Sequence, residues 1–386
     1  MSRPAVLFYV QHLLGIGHLR RASTLARAME AAGLAVTLAQ GGRPVPGLDL
    51  GAGRTVQLPL AEAADSSFAT ILDAAGRPID DAWRAARRER LLGLFAELDP
   101  AILLIEQFPF GRRAFRFELL PLLEAAHARR PRPAIVASVR DILVAKADPK
   151  RAAEMVALAK RYFDAVLVHG DPRILALEAS FPAATELGSL LRYTGYVVER
   201  TPIQPAGYAG EPEVLVSVGG GAVGRPLLET ALAARPLSRL AGAPWRLITG
   251  QGLPDRAYAA LARALPAGVA LERFRPDFRA LLGRARVSVS QGGYNTLMEI
   301  LEARTRAVIV PFAEAEETEQ TLRARRFAGL GLIELLEATD LSPAKLAAAI
   351  DRAEARAPVS LAVDLDGAPA SARRLLALAA ERAATP

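Results

Sequence analysis

The sequence contains no cysteine, which excludes disulfides, thiolate zinc sites and cysteine nucleophiles and makes a reducing, cytoplasmic location the expected one. It also lacks any charge-free run of about 18 apolar residues, the length a membrane-spanning helix needs, so no span is expected. The opening MSRPAVLFYVQHLLGIGH has an apolar stretch from Ala5, but it alternates into glycines and a histidine without a small-residue cleavage site. It reads as a strand and not as a signal sequence. Basic charge is plentiful, at a net +7, yet nearly all of it is arginine spread along helical stretches instead of gathered with aromatics into one stripe. A nucleic-acid footprint needs clustering as well as net charge, so no nucleic-acid partner is expected.

What remains is an ordinary globular composition. At 386 residues with 51% apolar content, the chain is too long for one core and suggests two domains. The first half opens as strand, glycine-rich turn, helix, strand. AVLFYV (Ala5 to Val10) leads into LLGIGH, and Leu19, Ala22, Ala26 and Met29 then recur at helical spacing up to the stop at Gly33. Strand-like runs follow at Ala101–Glu106, Ala134–Val139 and Ala165–Gly170, each preceded by a helical segment. The pattern predicts a doubly wound parallel sheet over residues 1–198. A Pro- and Gly-rich stretch at 199–212 reads as a linker. The alternation then restarts, so 213–366 predicts a second such sheet, and 367–386 a terminal helix packing back on the first domain. The fold class is α/β, two Rossmann-like domains facing a cleft lined by the carboxyl ends of their strands, where open α/β sheets bind ligands.

Three glycine-bearing turns carry the chemistry. In L-G-I-G-H-L-R-R, Leu14 to Arg21, Gly15 and Gly17 let the backbone approach a ligand, and the helix N-terminus faces it. His18 sits at the helix mouth, where a neutral imidazole can take a proton near neutral pH. As plain structure, the turn is packing and the histidine a cap. In V-S-V-G-G-G-A-V-G-R, Val216 to Arg225, Gly219, Gly220 and Gly221 offer a nest of N–H groups to a diphosphate, without the Lys-Ser/Thr of a P-loop. In S-V-S-Q-G-G-Y-N-T-L-M-E, Ser288 to Glu299, Gln291, Gly292 and Gly293 precede a helix whose Asn295 and Thr296 present N-terminal amides to an anion. Glu299 lies one turn in, within reach of ribose hydroxyls. After V-P-F, Glu319 and Gln320 begin a helix where they could read sugar hydroxyls, although an acidic helix start is also what the helix dipole favours.

With these residues in place, the sequence resembles the inverting GT-B glycosyltransferases of family 28, which include the lipid II N-acetylglucosaminyltransferase. Q-G-G-Y-N-T-L-M-E, V-P-F and E-Q match the family's donor-site run in order and spacing; G-I-G-H looks like a shortened first glycine loop, and T-G-Y-V (Thr194 to Val197) like the end of the first domain. The resemblance implies a nucleotide-sugar donor, UDP-linked by preference. His18 would take the catalytic-base position and Gly221 with its neighbours the diphosphate. Phe274 would offer backbone groups to the base, Glu299 would take the ribose, and Gln320 the donor sugar. The chain departs from the pattern in that shorter loop, in Glu319 where the family has glutamine, and in E-Q-F-P-F-G-R-R-A-F-R-F-E-L-L-P-L-L, Glu106 to Leu123, which has no counterpart. These departures set it on a separate branch of the family.

The expected reaction is a displacement with inversion at the anomeric carbon, with His18 as base, Asp141 as its orienting partner, and helix N-termini stabilising the departing diphosphate. No cofactor and no metal are required. The D-L-D at Asp364 to Asp366 suggests a metal pair, but turns favour Asp for conformational reasons, and His12, His127 and His169 show no ligand spacing. Phe108, Phe110, Phe115 and Phe117 interleave with Arg112, Arg113 and Arg116. That cluster either holds an anionic or lipid-linked acceptor and touches the inner membrane face peripherally, or is a helix with buried rings. Gly15, Gly17, Arg112, Arg113 and Arg140 are the expected acceptor-side or cleft residues, with the acceptor itself an unspecified small molecule, glycan or lipid-linked hydroxyl. A nucleotide-sugar 2-epimerase of the same fold and a non-catalytic nucleotide- or polyanion-binding protein are the rival readings.

Overall fold

A computed structural model describes residues 3–13, 15–65, 68–143, 148–200, 211–219, 224–312, 319–357 and 362–383. Gly220, Gly221 and most of the expected linker lie outside these. The chain forms two compact units, Met1–Val197 joined by Asp364–Pro386, and Val198–Val363. The return crossing thus falls at Asp364 instead of after Asp366.

The first unit begins β1 (Ala5–Val10), α1 (Gly17–Ala31), β2 (Ala35–Gln40) and β3 (Arg54–Gln57), with a small hairpin of β4 (Glu62–Ala63) and β5 (Ile71–Leu72). It continues with α2 (Asp81–Leu98), β6 (Ile102–Glu106), α3 (Arg116–Ala128), β7 (Ala134–Arg140), α4 (Pro149–Tyr162), β8 (Ala165–His169) and β9 (Leu191–Tyr193). Seven strands join in the order β3-β2-β1-β6-β7-β8-β9, every pairing parallel. These strands read as unbroken apolar runs because helices cover both faces. Alternate residues go to opposite sides: Leu7, Tyr9, Leu103 and Ile105 enter one core, Val6, Phe8, Ile102 and Leu104 the other.

The second unit runs β10 (Val214–Ser217), α5 (Arg225–Ala234), β11 (Trp245–Ile248), α6 (Asp255–Arg263), β12 (Val269–Glu272), α7 (Phe278–Arg284) and β13 (Val287–Ser290). It ends with α8 (Tyr294–Ala303), β14 (Ala307–Ile309), α9 (Glu319–Gly329), β15 (Glu334–Leu335) and α10 (Pro343–Ala355). Its six strands are ordered β12-β11-β10-β13-β14-β15, with Val214, Val216 and Val218 buried against Leu227, Leu228 and Ala231 of α5 and Leu346 and Ile350 of α10. In both sheets the strand order reverses beside the first strand, between β1 and β6 and between β10 and β13. Such a switch point opens a crevice at the carboxyl ends of the strands.

The chain then returns to the first unit as α11 (Gly367–Ala383), whose Ala368, Ala372, Leu375 and Ala379 share a core with Leu19, Ala22, Ala26 and Met29 of α1. The crossing is pinned by Tyr196 N to Asp364 O at 2.7 Å and Gly367 N to Tyr196 O at 3.0 Å. Residue 367 must be glycine, since a Cβ would stand 2.4 Å from Gly195 O. The Asp364 carboxylate accepts from the Asp366 amide at 3.0 Å, which is turn chemistry. No helix among the described residues is long and apolar enough to cross a membrane.

Candidate functional site

In the first unit the site grows from the switch point between β1 and β6. The chain leaves β1, turns through Gly15 and Ile16, and starts α1 at Gly17 with neither a capping side chain nor an acidic residue in its first turn. A Cβ on Gly15 would meet nothing within 4 Å, so this backbone stands open. His18 follows, with its Nδ1 2.7 Å from Oε1 of Glu106, the last residue of β6. Arg21, one helical turn on, donates to the same oxygen. Glu106 is 1% exposed and the His18 side chain 21%, so the ring can meet a ligand while its partner cannot.

The expected partner Asp141 is thereby corrected to Glu106. The physical reason is strand order. β6 lies beside β1, whereas Asp141 follows β7, one strand further out, and strands are spaced by about 4.8 Å. Asp141 is buried, on the wrong strand to reach His18.

Electrostatics fix the protonation states. Burial lowers the His18 pKa to about 4, against the opposing pull of Glu106. Burial would raise the Glu106 carboxyl, but His18, Arg21 and Arg112 together hold it down at about 2. At neutral pH the pair is therefore a neutral imidazole and a carboxylate. A carboxylate can only accept, so Nδ1 carries the proton and donates to Glu106, which leaves the Nε2 lone pair as the basic site. The contact from Arg21 to Nδ1 at 3.2 Å does not compete, because that lone pair is already used by the proton.

Of the other expected residues here, Arg112 reaches Glu106 Oε2 at 3.7 Å and Arg140, at the end of β7, exerts an electrostatic influence on Arg112. Arg113 does not join them and is exposed. Phe108, Phe110 and Phe115 are buried, so the rings of the Phe/Arg segment are core, with Arg113 outward and Arg112 turned in beside Glu106. His169 is held between Ser138 Oγ at 2.8 Å and Thr194 Oγ1 at 3.0 Å, and His127 binds Tyr162 O. Among the described residues no group of three His, Asp or Glu is placed to hold a metal ion.

In the second unit the switch point lies between β10 and β13. Gly219 follows β10 with φ at +64° and no atom within 4 Å of a Cβ position. Gly224 caps α5 against the strand end so closely that a Cβ would fall 2.1 Å from Val218 Cβ. After β13 come Gln291, Gly292 and Gly293, and α8 begins at Tyr294 without a capping side chain or an early acid. Asn295 and Thr296 sit in its first turn, and Glu299 is half-buried. The start of α9 is pressed onto this loop: a Cβ on Gly292 would lie 3.3 Å from Gln320 O. Gln320 Oε1 accepts from Phe312 N at 3.1 Å, so its NH2 group is the half available to a hydroxyl. Glu319 differs from expectation. Arg323 donates to its carboxylate at 2.7 Å and to Gly292 O at 3.3 Å, so Glu319 braces the loop through Arg323. Phe274, just past β12, is 51% exposed.

Sequence reasoning missed Glu106, Arg21, and the hydroxyls of Ser217 and Ser290. Those serines end β10 and β13 opposite each other and have buried Oγ atoms with no partner among the described residues. The available signal was a polar residue closing an otherwise apolar strand.

Comparison with known proteins matches residues 215–364 to the glycosyltransferase family 28 C-terminal domain. A curated relative from Gloeothece citriformis, UDP-N-acetylglucosamine--N-acetylmuramyl-(pentapeptide) pyrophosphoryl-undecaprenol N-acetylglucosamine transferase, is 34% identical over 70 residues. The match spans 18% of this chain and 19% of the relative's length. Among solved structures, the calicheamicin glycosyltransferase aligns at a TM-score of 0.62 with 17% identity, covering 99% of this chain and 95% of that one. The glycosyltransferase VinC in complex with dTDP gives 0.62 and 16%, over 99% and 96%. MurG of Acinetobacter baumannii gives 0.57 and 14%, over 97% and 99%. At these identities the structural likeness establishes the two-domain GT-B fold.

Proposed function

We propose, from the premise that this chain belongs to glycosyltransferase family 28 through its C-terminal domain, that it transfers a sugar from a nucleoside-diphosphate sugar to a hydroxyl acceptor with inversion. The observation that carries this reading is the buried Glu106 bound at 2.7 Å to the Nδ1 of a partly open His18, on the strand-end crevice of the first unit. That arrangement leaves a neutral imidazole with a free Nε2 lone pair, the state a general base needs before it removes a proton from a hydroxyl. As the proton arrives, the imidazolium is stabilised by the carboxylate, which supports the bond-making step without itself taking the proton.

The second unit is assigned the donor. The N-terminus of α8 and the Gly219 turn would hold the diphosphate, since a helix N-terminus carries positive potential and directs backbone N–H groups toward an anion. As the glycosidic bond breaks, the same amides accommodate the charge on the leaving group. Glu299 is assigned to the ribose, Gln320 to the donor sugar, and Phe274 to the base. UDP is the first nucleotide to test, since the relative from Gloeothece citriformis is named for a UDP-sugar, and dTDP the second, since it occupies the VinC structure. Location is proposed as cytoplasmic.

The decisive experiment is a thermal-shift screen of UDP, dTDP and GDP with their sugars in the presence of a chelator, followed by transfer assays on His18→Ala. The reading requires that one nucleotide raise the melting temperature without added metal. His18→Ala must keep that shift and lose transfer by about 100- to 10,000-fold, the range general-base removal gives. A variant that still turns over at a tenth of the parent rate would remove His18 from the base role.

A further inference from the structure

Arg112 sits on the loop that leaves β6 beside Glu106, and its hydrogen-bonding capacity is unused. Its side chain is 12% exposed, and its nearest carboxylate oxygen, Glu106 Oε2, lies at 3.7 Å, beyond hydrogen-bonding distance. The other Glu106 oxygen is already occupied by His18 and Arg21. The guanidinium makes no hydrogen bond among the described residues, and its Nε is wholly buried without a partner. A second donor on the same loop is in the same condition: the side-chain nitrogen of Gln107, a residue 6% exposed, has no partner either. Both residues are held in the left-handed region, at φ of 66° for Gln107 and 58° for Arg112, a conformation costly for side-chain-bearing residues and concentrated at ligand sites. The turn is closed by Gly111 N to Gln107 O at 2.8 Å.

A guanidinium withdrawn from water without hydrogen bonds is expensive to maintain, and its planar fork matches the oxygens of a carboxylate or phosphate. We propose that Arg112, with the Gln107 amide, anchors a phosphate or carboxylate group carried by the acceptor. This assigns the acceptor to a class, a hydroxyl compound bearing an oxyanion. It rests on the reading of His18 as the base that meets the acceptor, though the anion site itself does not. The family match covers residues 215–364 and does not reach this segment, so the anchor is argued from this chain's own residues.

The test uses the full-length protein with inorganic phosphate and, separately, acetate as probes at constant ionic strength, followed by calorimetry and melting temperature, with and without saturating UDP. The expected result is phosphate or acetate binding that persists when UDP is bound. Arg112→Met should weaken it at least tenfold, and Arg112→Lys less so. Without the anion, Arg112→Met should melt close to the parent, because loss of the 3.7 Å contact with Glu106 is offset by removal of a largely buried cation that makes no hydrogen bond. Three results would overturn the proposal: displacement of the anion by UDP, which would place it in the donor's diphosphate site; equal anion binding by Arg112→Met; or a fall of several degrees in the melting temperature of anion-free Arg112→Met, which would make Arg112 a structural counter-ion of Glu106. Failure of any nucleotide to bind would count against the transferase reading while leaving the anion result to stand or fall by itself.

Discussion

Replacing Glu106 with glutamine isolates the carboxylate's charge from its shape. The carboxylate lies 2.7 Å from Nδ1, so once the imidazole is protonated the two charge centres are about 4 Å apart, worth about 4 kcal/mol at an effective dielectric constant of about 20. A carboxamide retains a hydrogen bond and none of that charge, and it can turn its NH2 toward Nδ1, which would put the ring proton on Nε2 and occupy the basic site. Since about 1.4 kcal/mol is a factor of ten, transfer should slow by about 100- to 1000-fold. Nucleotide binding, assigned to the other unit, should be unchanged. Arg21 is 3% exposed, and loss of the charge on its carboxylate partner should cost up to about 3–5 kcal/mol of stability. The Glu106→Gln/Arg21→Met double variant removes that cation as well and should regain part of that stability without regaining rate. The assay is nucleoside diphosphate release during transfer, beside chemical unfolding. A folded Glu106→Gln enzyme within threefold of the parent rate would refute the argument.

Two further outcomes follow from the same geometry. Because burial lowers the His18 pKa to about 4, the ring is deprotonated throughout the neutral range. The acid limb of kcat/KM should therefore fall near pH 4, and a midpoint near the ordinary histidine value of about 6.5 would contradict it. Folding should follow the same sign: the unfolded histidine takes up its proton first as pH drops, so stability held above about 6.5 is lost progressively toward 4. In the second unit, Gly224→Ala would drive a backbone-borne methyl to 2.1 Å from Val218 Cβ. Overpacking of that kind should cost about 1–3 kcal/mol and lift α5 from the strand end, weakening nucleotide binding about tenfold or more. Unfolding and nucleotide titrations indistinguishable from the parent would contradict the assigned role of that turn.

The architecture was legible because both sheets are buried on two faces, so their strands appear as plain apolar runs such as ILLIE and AIVASV, separated by helical periods. The glycine turns were legible for a related reason: a turn squeezed between strand and helix leaves no room for a side chain, as Gly224 and Gly292 show. What the sequence concealed was adjacency. Asp141 and Glu106 both close apolar strands, and nothing in their local context says which strand neighbours β1. That follows from the sheet order, which places β6 there and makes Glu106 the partner. Glu319 was concealed differently, since its engagement depends on Arg323 four residues later turning inward beneath the loop. Arg112 looked like one arginine among several on an amphipathic segment, and only its burial and left-handed backbone separate it from the exposed Arg113.

The terminal helix has a consequence for how the protein is made. Because α11 supplies Ala372 and Leu375 to the core that also holds Leu19 and Met29, the earliest part of the chain waits for the latest. During synthesis, the α1 surface stays uncovered until after the whole of the second unit has emerged from the ribosome. A deletion that trims the final twenty residues should therefore damage the half of the molecule that is farthest from it in sequence, while the intervening stretch, complete before α11 appears, should retain its own fold.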